Sequence, residues 1–224
     1  MSDNPDLRRF HRLRRIVRWI TYEIRKAGEA VIDARLGVDT APRDAREAPD
    51  LNEAQALLAG FQHWPSPYGI LARALGDWQI TSNDVFLDIG CGKGRMLYMA
   101  AQYPFARVLG VEISPQLANI ARSNALRWPS RAGCPIEVYC ADAATFVIPP
   151  DVTLVYLFNP FDCATTDAVV KRLRQSIEQR PRRLRIIYLW PTCRDAVVQH
   201  GFIRTNSRPH IDRFEWTREL ASAL

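Results

Sequence analysis

From Val85 to Glu112 an apolar run, a bend dense in glycine, a helix-like stretch and a second apolar run follow one another, and few folds accept that order. Val85-Phe86-Leu87-Asp88-Ile89 has the pattern of a buried strand, and Gly90-Cys91-Gly92-Lys93-Gly94-Arg95 follows it at once. Lys93 to Tyr103 reads as a helix and Arg107 to Glu112 as the next strand. Glycines let a backbone turn sharply and approach a ligand without a Cβ in the way. Asp88, near the strand's end, can accept from a cationic group. Glu112 ends the second strand, where a doubly wound sheet sets an acid against ribose hydroxyls.

The alternation continues to the end of the chain. Pro115 to Trp128 is helical, Ile136 to Cys140 a strand, Val152 to Phe158 a strand and Thr165 to Gln179 a helix. Leu184 to Trp190 is a strand, Arg194 to His200 a short helix, and Phe202 to Asn206 and Ile211 to Thr217 are two final strands. This predicts an α/β fold: a doubly wound, mostly parallel, seven-stranded Rossmann-like sheet with helices on both faces. No internal repeat stands out.

Ahead of this domain, assigned to 61–224, lies an extension over 1–60. Apolar residues at Phe10, Leu13, Val17, Ile20, Ile24, Ala27, Val31 and Ala34 step by three and four, one stripe along a helix that Gly37 would stop. The opposite face is rich in arginine. Packing of the stripe on the domain or on a second copy is favoured over a lipid surface or nucleic acid, because Glu23, Glu29 and Asp33 interrupt the positive charge. Residues 38–50 read as a linker and 51–60 as a short helix. Ser66 can cap a helix from Pro67 to about Asp77 with proline in its first turn.

Composition narrows the function classes. The net charge is +6 over 224 residues, with 47% hydrophobic residues, an ordinary globular balance. Basic residues cluster at 8–18 and again at Lys171, Arg172, Arg174, Arg180, Arg182, Arg183 and Arg185, and are read as solvated faces before any acidic partner is invoked. The five cysteines form no C-x-x-C pair, which predicts reduced thiols and a cytoplasmic setting. The four histidines are scattered and show no zinc spacing. No apolar run reaches the ~18 residues of a membrane span.

The loop departs from the dinucleotide pattern G-x-G-x-x-G, since Arg95 stands at its sixth position, and it is not a Walker loop. As D-x-G-x-G-x-G with an acid ending the second strand, it resembles motif I of the class I S-adenosylmethionine-dependent methyltransferases, over about residues 60–217. The resemblance implies S-adenosylmethionine as cofactor. It assigns Asp88, Gly90, Cys91, Gly92 and Gly94 to its methionine part, Glu112 and the adjoining Ile113 to the ribose side, and Asp142 with Ala143 to the adenine. Asn159-Pro160-Phe161 is similar to the N-P-P-[FY] motif of amine-directed members, with Phe161 in place of the second proline. Asn159 would hold the N–H groups of an acceptor amine and aim its lone pair, while Phe161 walls the site or stacks on the substrate. Asp162 is a candidate to receive the proton. Pro65-Ser66-Pro67-Tyr68-Gly69 resembles a segment of the non-SET protein-lysine methyltransferases that closes over the cofactor, which implies Tyr68 near its methionine end, with 36–40 in the same lid. A protein, lysine-like amine is the favoured acceptor. Nucleic acid, a small molecule and a non-catalytic cofactor-binding module remain as alternatives, and the oligomeric state is left open.

Overall fold

The computed structural model describes residue 24 and residues 27–41, 65–128, 134–158 and 161–217. The first part of the N-terminal helix, the short helix expected over 51–60, Asn159 and Pro160 lie outside them. Helix α1 covers 27–36, α2 Ile70–Leu75, α3 Arg95–Ala100, α4 Pro115–Ala125, α5 Cys163–Gln179 and α6 Arg194–Gln199. The strands are β1 Val85–Ile89, β2 Arg107–Glu112, β3 Ile136–Cys140, β4 Leu154–Phe158, β5 Leu184–Leu189, β6 Ile203–Arg208 and β7 Ile211–Trp216.

All seven strands join one sheet in the order β3-β2-β1-β4-β5-β7-β6. β1 to β5 pair in parallel, whereas β7 runs antiparallel between β5 and β6. That reversal returns the turn at Pro209 and His210 to the edge where β4 and β5 end. The strand order changes direction between β1 and β4, and such a switch point opens a crevice at the C-terminal ends of the strands.

Strand alternation divides the core between the two faces. Val85, Leu87 and Ile89 pack with Val169, Val170 and Leu173 of α5. Phe86 packs with Leu71 of α2 and with Met96 and Leu97 of α3. Each such side chain, once buried, contributes about 1.5–3 kcal/mol. Edge strand β6 is mostly exposed and carries a register shift between Arg204 and Asn206, features that discourage edge-to-edge pairing.

Four expectations are corrected. The expected cap of α2 is absent: the helix begins at Ile70, after Gly69, with no side-chain cap, because the Ser66 hydroxyl lies 2.8 Å from the Tyr156 hydroxyl in the core. Cys163 and Cys193 form a disulfide with a Cα separation of 5.2 Å, where reduced thiols were expected. β4 and β5 pair through Phe158 and Leu189, so the chain leaves both strands close together and brings the two residues within bonding reach. Cys91, Cys134 and Cys140 are free.

The second basic cluster, expected as a solvated face, is largely structural. Arg185 is buried 2.6 Å from Asp84, Arg183 pairs with Glu215, and Arg182 donates to the carbonyls of Val152 and Ser176. Helix α1 packs by a different face from its apolar stripe. Its apolar residues Ile24, Ala27, Val31 and Ala34 are exposed, and Glu29 and Asp33 face the domain instead. The cause is a buried cation on the domain, described below. Gly37, with φ 66°, ends the helix as expected, and the Val38 N–H caps the Asp33 carbonyl at 3.0 Å. Among the described residues no helix is long and apolar enough to cross a membrane.

Candidate functional site

The glycine bend leaves β1 at the switch point. Gly90, Gly92 and Gly94 have φ of 82°, 54° and 87°, a left-handed backbone that side chains other than glycine adopt at a cost. The amides of Gly90 and Cys91 both donate to the Val111 carbonyl, which pins the bend to β2. Glu112 closes it from the other side. One of its carboxylate oxygens accepts from Gly92 N–H and the other from Ser114 N–H, each at 2.9 Å. A carboxylate has about four lone-pair sites, so room is left for two ligand hydroxyls. Gly110 makes the arrangement compact: a Cβ there would lie 2.8 Å from both the Cys91 Sγ and the Leu97 Cδ1.

Asp88 is 3% exposed, and its carboxylate accepts no hydrogen bond among the described residues. Burial, together with the nearby Glu112, raises its pKa well above the usual carboxylate range. Burial likewise raises Glu112, against the backbone amides of Ser114 and Gly92 that favour its charge. An unpaired buried acid is costly unless something cationic joins it. The Cys91 thiol is pushed well up by burial and the neighbouring acids, so it is no nucleophile.

On the β2 side, Ile113 is 57% exposed beside Glu112, an apolar surface where a planar group can lie. Ala143 is buried, and the exposed Asp142 directs a carboxylate oxygen to Ala144 N–H at 2.9 Å, which shapes the turn after β3. On the β4 side, Phe161 is partly buried against the α5 face of the core. Asp162 caps α5 through Thr165 N–H at 2.8 Å, and that bond holds its pKa below the usual range. So placed, Asp162 is a poor proton acceptor.

The third element is the N-terminal segment, which lies over the bend. Lys93, 1% exposed, holds the Asp39 carboxylate at 2.8 Å and the Ala41 carbonyl at 2.7 Å. Asn124 of α4 donates to the carbonyls of Asp39 and Lys93 and accepts from Asp39 N–H. Arg95, 2% exposed, pairs with Glu29 at 2.6 Å, lies 3.8 Å from Asp33 and donates to the Thr40 hydroxyl at 2.7 Å. Its guanidinium sits 4.5 Å from the centre of the Tyr68 ring, and the Tyr68 hydroxyl donates to Asp33 at 2.6 Å. Tyr68 thus belongs to a buried polar cluster that ties 36–41 down.

The sequence did not single out Lys93, Asn124, Arg95, Glu29, Asp33 and Thr40 as a unit. One signal was present: Glu29 and Asp33 stand one helical turn apart on a face otherwise basic, and Arg95 is the residue that breaks the dinucleotide pattern.

Comparison with known proteins agrees with the geometry. Residues 86–179 match the family model described as a methyltransferase domain. A curated relative, the tRNA1(Val) (adenine(37)-N6)-methyltransferase of Shewanella amazonensis, is 39% identical over 80 residues, which span 34% of this chain and 34% of the relative. Among solved structures, an RNA methyltransferase from Salinibacter ruber, in complex with S-adenosyl-L-homocysteine, superposes with a TM-score of 0.51 at 23% identity, covering 69% of this chain and 93% of that one. Precorrin-6y C5,15-methyltransferase from Geobacter metallireducens superposes with a TM-score of 0.52 at 14% identity, covering 68% and 88%. The fold is that of the class I methyltransferases, residues 86–179 match a methyltransferase domain, and S-adenosylmethionine is the cofactor of that family.

Proposed function

We propose that this chain, built around a methyltransferase domain, transfers a methyl group from S-adenosylmethionine to an amine nitrogen. The observation that carries the reading is the unpaired, buried Asp88 beside a left-handed glycine bend whose far side is held by Glu112. The pair offers a carboxylate for a cationic end and another for hydroxyls, on the crevice edge of the sheet. When bound, the cofactor supplies a sulfonium-activated methyl group and its own leaving group. The chain then has to bind, orient and exclude water. Asn159, straight after β4, would accept the N–H groups of the amine and fix its lone pair.

A lysine-like acceptor rests on Asn159-Pro160-Phe161 and on the segment of Ser66 and Tyr68, and the latter two are committed to internal hydrogen bonds with Tyr156 and Asp33. The local likeness to a tRNA adenine methyltransferase favours the exocyclic amine of a base. Such an amine carries no proton to be lost beforehand, which suits a chain whose candidate proton acceptor, Asp162, is a helix cap.

Transfer of labelled methyl from S-adenosylmethionine into fractionated lysate tests the reading and sorts protein, RNA and small-molecule acceptors. Asn159→Ala is expected to keep cofactor affinity within about twofold and lower kcat about 100-fold. Lost cofactor affinity with turnover intact would contradict it.

A pH dependence follows from Asp88. Its pKa is raised in the free protein, and a cationic ligand favours the ionised form, so binding releases protons. Affinity is expected to rise with pH above the ordinary carboxylate range and to level off once Asp88 is ionised without ligand. Calorimetry in buffers of different ionisation heat reads that release, and proton uptake would refute it.

A further inference from the structure

Three rings stand in a row on the C-terminal edge of the sheet. Phe158 ends β4, Trp190 follows β5 and His210 precedes β7, on strands that are neighbours in the sheet. Phe158 and Trp190 have ring centroids 5.3 Å apart and Trp190 and His210 5.2 Å apart, each pair inclined by 27°. The Trp190 N–H donates to the His210 carbonyl at 2.8 Å. The column starts at the β4 side of the crevice and ends in solvent, where His210 is exposed and Trp190 is 40% exposed.

Its backbone is strained. Trp190 and His210, with φ of 47° and 67°, are the two non-glycine residues with positive φ among the described residues. Each left-handed residue costs about 1–2 kcal/mol, and an aromatic pair returns about 0.5–1.5 kcal/mol. Glycine at either position would relieve the strain, so stability alone does not account for the rings. Strain held beside a ligand crevice is where a functional cause is sought.

The strand that follows His210 also gathers cations. Arg194 and Arg204, whose side chains are 47% and 51% exposed, share the buried carboxylate of Asp212, two residues along the chain from His210. Two guanidinium groups to one carboxylate leave net positive charge on the strand that follows His210. Rings in a row next to cations suit unpaired bases, which stack on aromatic faces while the phosphates between them are neutralised.

We propose that the Phe158–Trp190–His210 column, with Arg194 and Arg204, is a platform for single-stranded nucleic acid that stacks a base flanking the methylated one and leads the strand into the crevice. It rests on the methyltransferase reading and names the acceptor class for that site.

The test is fluorescence anisotropy of a labelled, unstructured RNA oligonucleotide of about 12 residues with the full chain, without cofactor and across a salt series. Trp190→Gly and His210→Gly relax the backbone while removing a ring, so both variants are expected to fold, which circular dichroism checks. Each is expected to weaken RNA about tenfold, Trp190→Phe to retain most of the affinity, and Arg204→Ala to lower the slope of log affinity on log salt by about one. S-adenosylmethionine affinity is expected to be unchanged in all four. Unaltered RNA affinity in folded Trp190→Gly would overturn the proposal. So would a wild-type chain that ignores RNA at low salt yet methylates protein in lysate. A chain that binds RNA through the column but no S-adenosylmethionine would defeat the methyltransferase reading alone.

Discussion

Replacing Asp88 by asparagine is expected to raise the melting temperature while weakening S-adenosylmethionine by about 100-fold. The two effects share one cause. Asp88 is buried, and the ionised form is penalised by lost water and by Glu112, so folding holds its pKa above the unfolded value. The unfolded chain therefore ionises more readily, and the acid costs stability at neutral pH. The cost fades as pH falls below the raised pKa and is gone below the unfolded one. Asparagine has nothing to ionise, so the gain, roughly 2–4 °C, is expected at pH 7 and absent in acid. The same substitution removes the anion available to a cationic ligand. Calorimetry and thermal unfolding on one preparation read both quantities. A folded variant with unchanged affinity would defeat the site, and a lowered melting temperature would mean that Asp88 has a structural partner.

Arg95→Met is expected to be the most destabilising single change, by about 3–5 kcal/mol or up to the cost of detaching 27–41, whichever is smaller. It leaves Glu29, Asp33 and Thr40 buried around a missing cation. Hydrogen exchange should show 27–41 losing protection, and chemical denaturation gives the magnitude. Adding Glu29→Gln should recover part of the loss, because the two residues are in direct contact. Equal protection in Arg95→Met and the parent would show that the cluster does not hold the segment.

The sheet was legible because buried parallel strands are unbroken apolar runs and each crossover helix begins with its own punctuation: Gly94 ahead of α3, Ser114 ahead of α4 with Pro115 as its first residue, Asp162 ahead of α5. The bend and Glu112 were legible because backbone geometry demands those residue types. The side of α1 that packs was not. A helical stripe shows which face is apolar, and burial follows it only when the facing surface is apolar as well. Here the facing surface presents Arg95 and Tyr68, so the acids went inward. Ser66 misled for a similar reason: a hydroxyl near a helix start can serve any acceptor in reach, and Tyr156 was closer to hand. The Cys163–Cys193 pairing depends on where two strands end in space, which spacing does not encode.

The reversed strand β7 has a consequence for how such a molecule diversifies. The turn ahead of it emerges on the same rim as the glycine bend, yet is separated from it by more than a hundred positions of chain. Under the proposed function, lengthening or shortening that turn would remodel what the site accepts and leave intact the bend that grips the donor. On that reading selectivity and chemistry are lodged in different stretches of one polypeptide, so the first can drift between descendants while the second stays fixed.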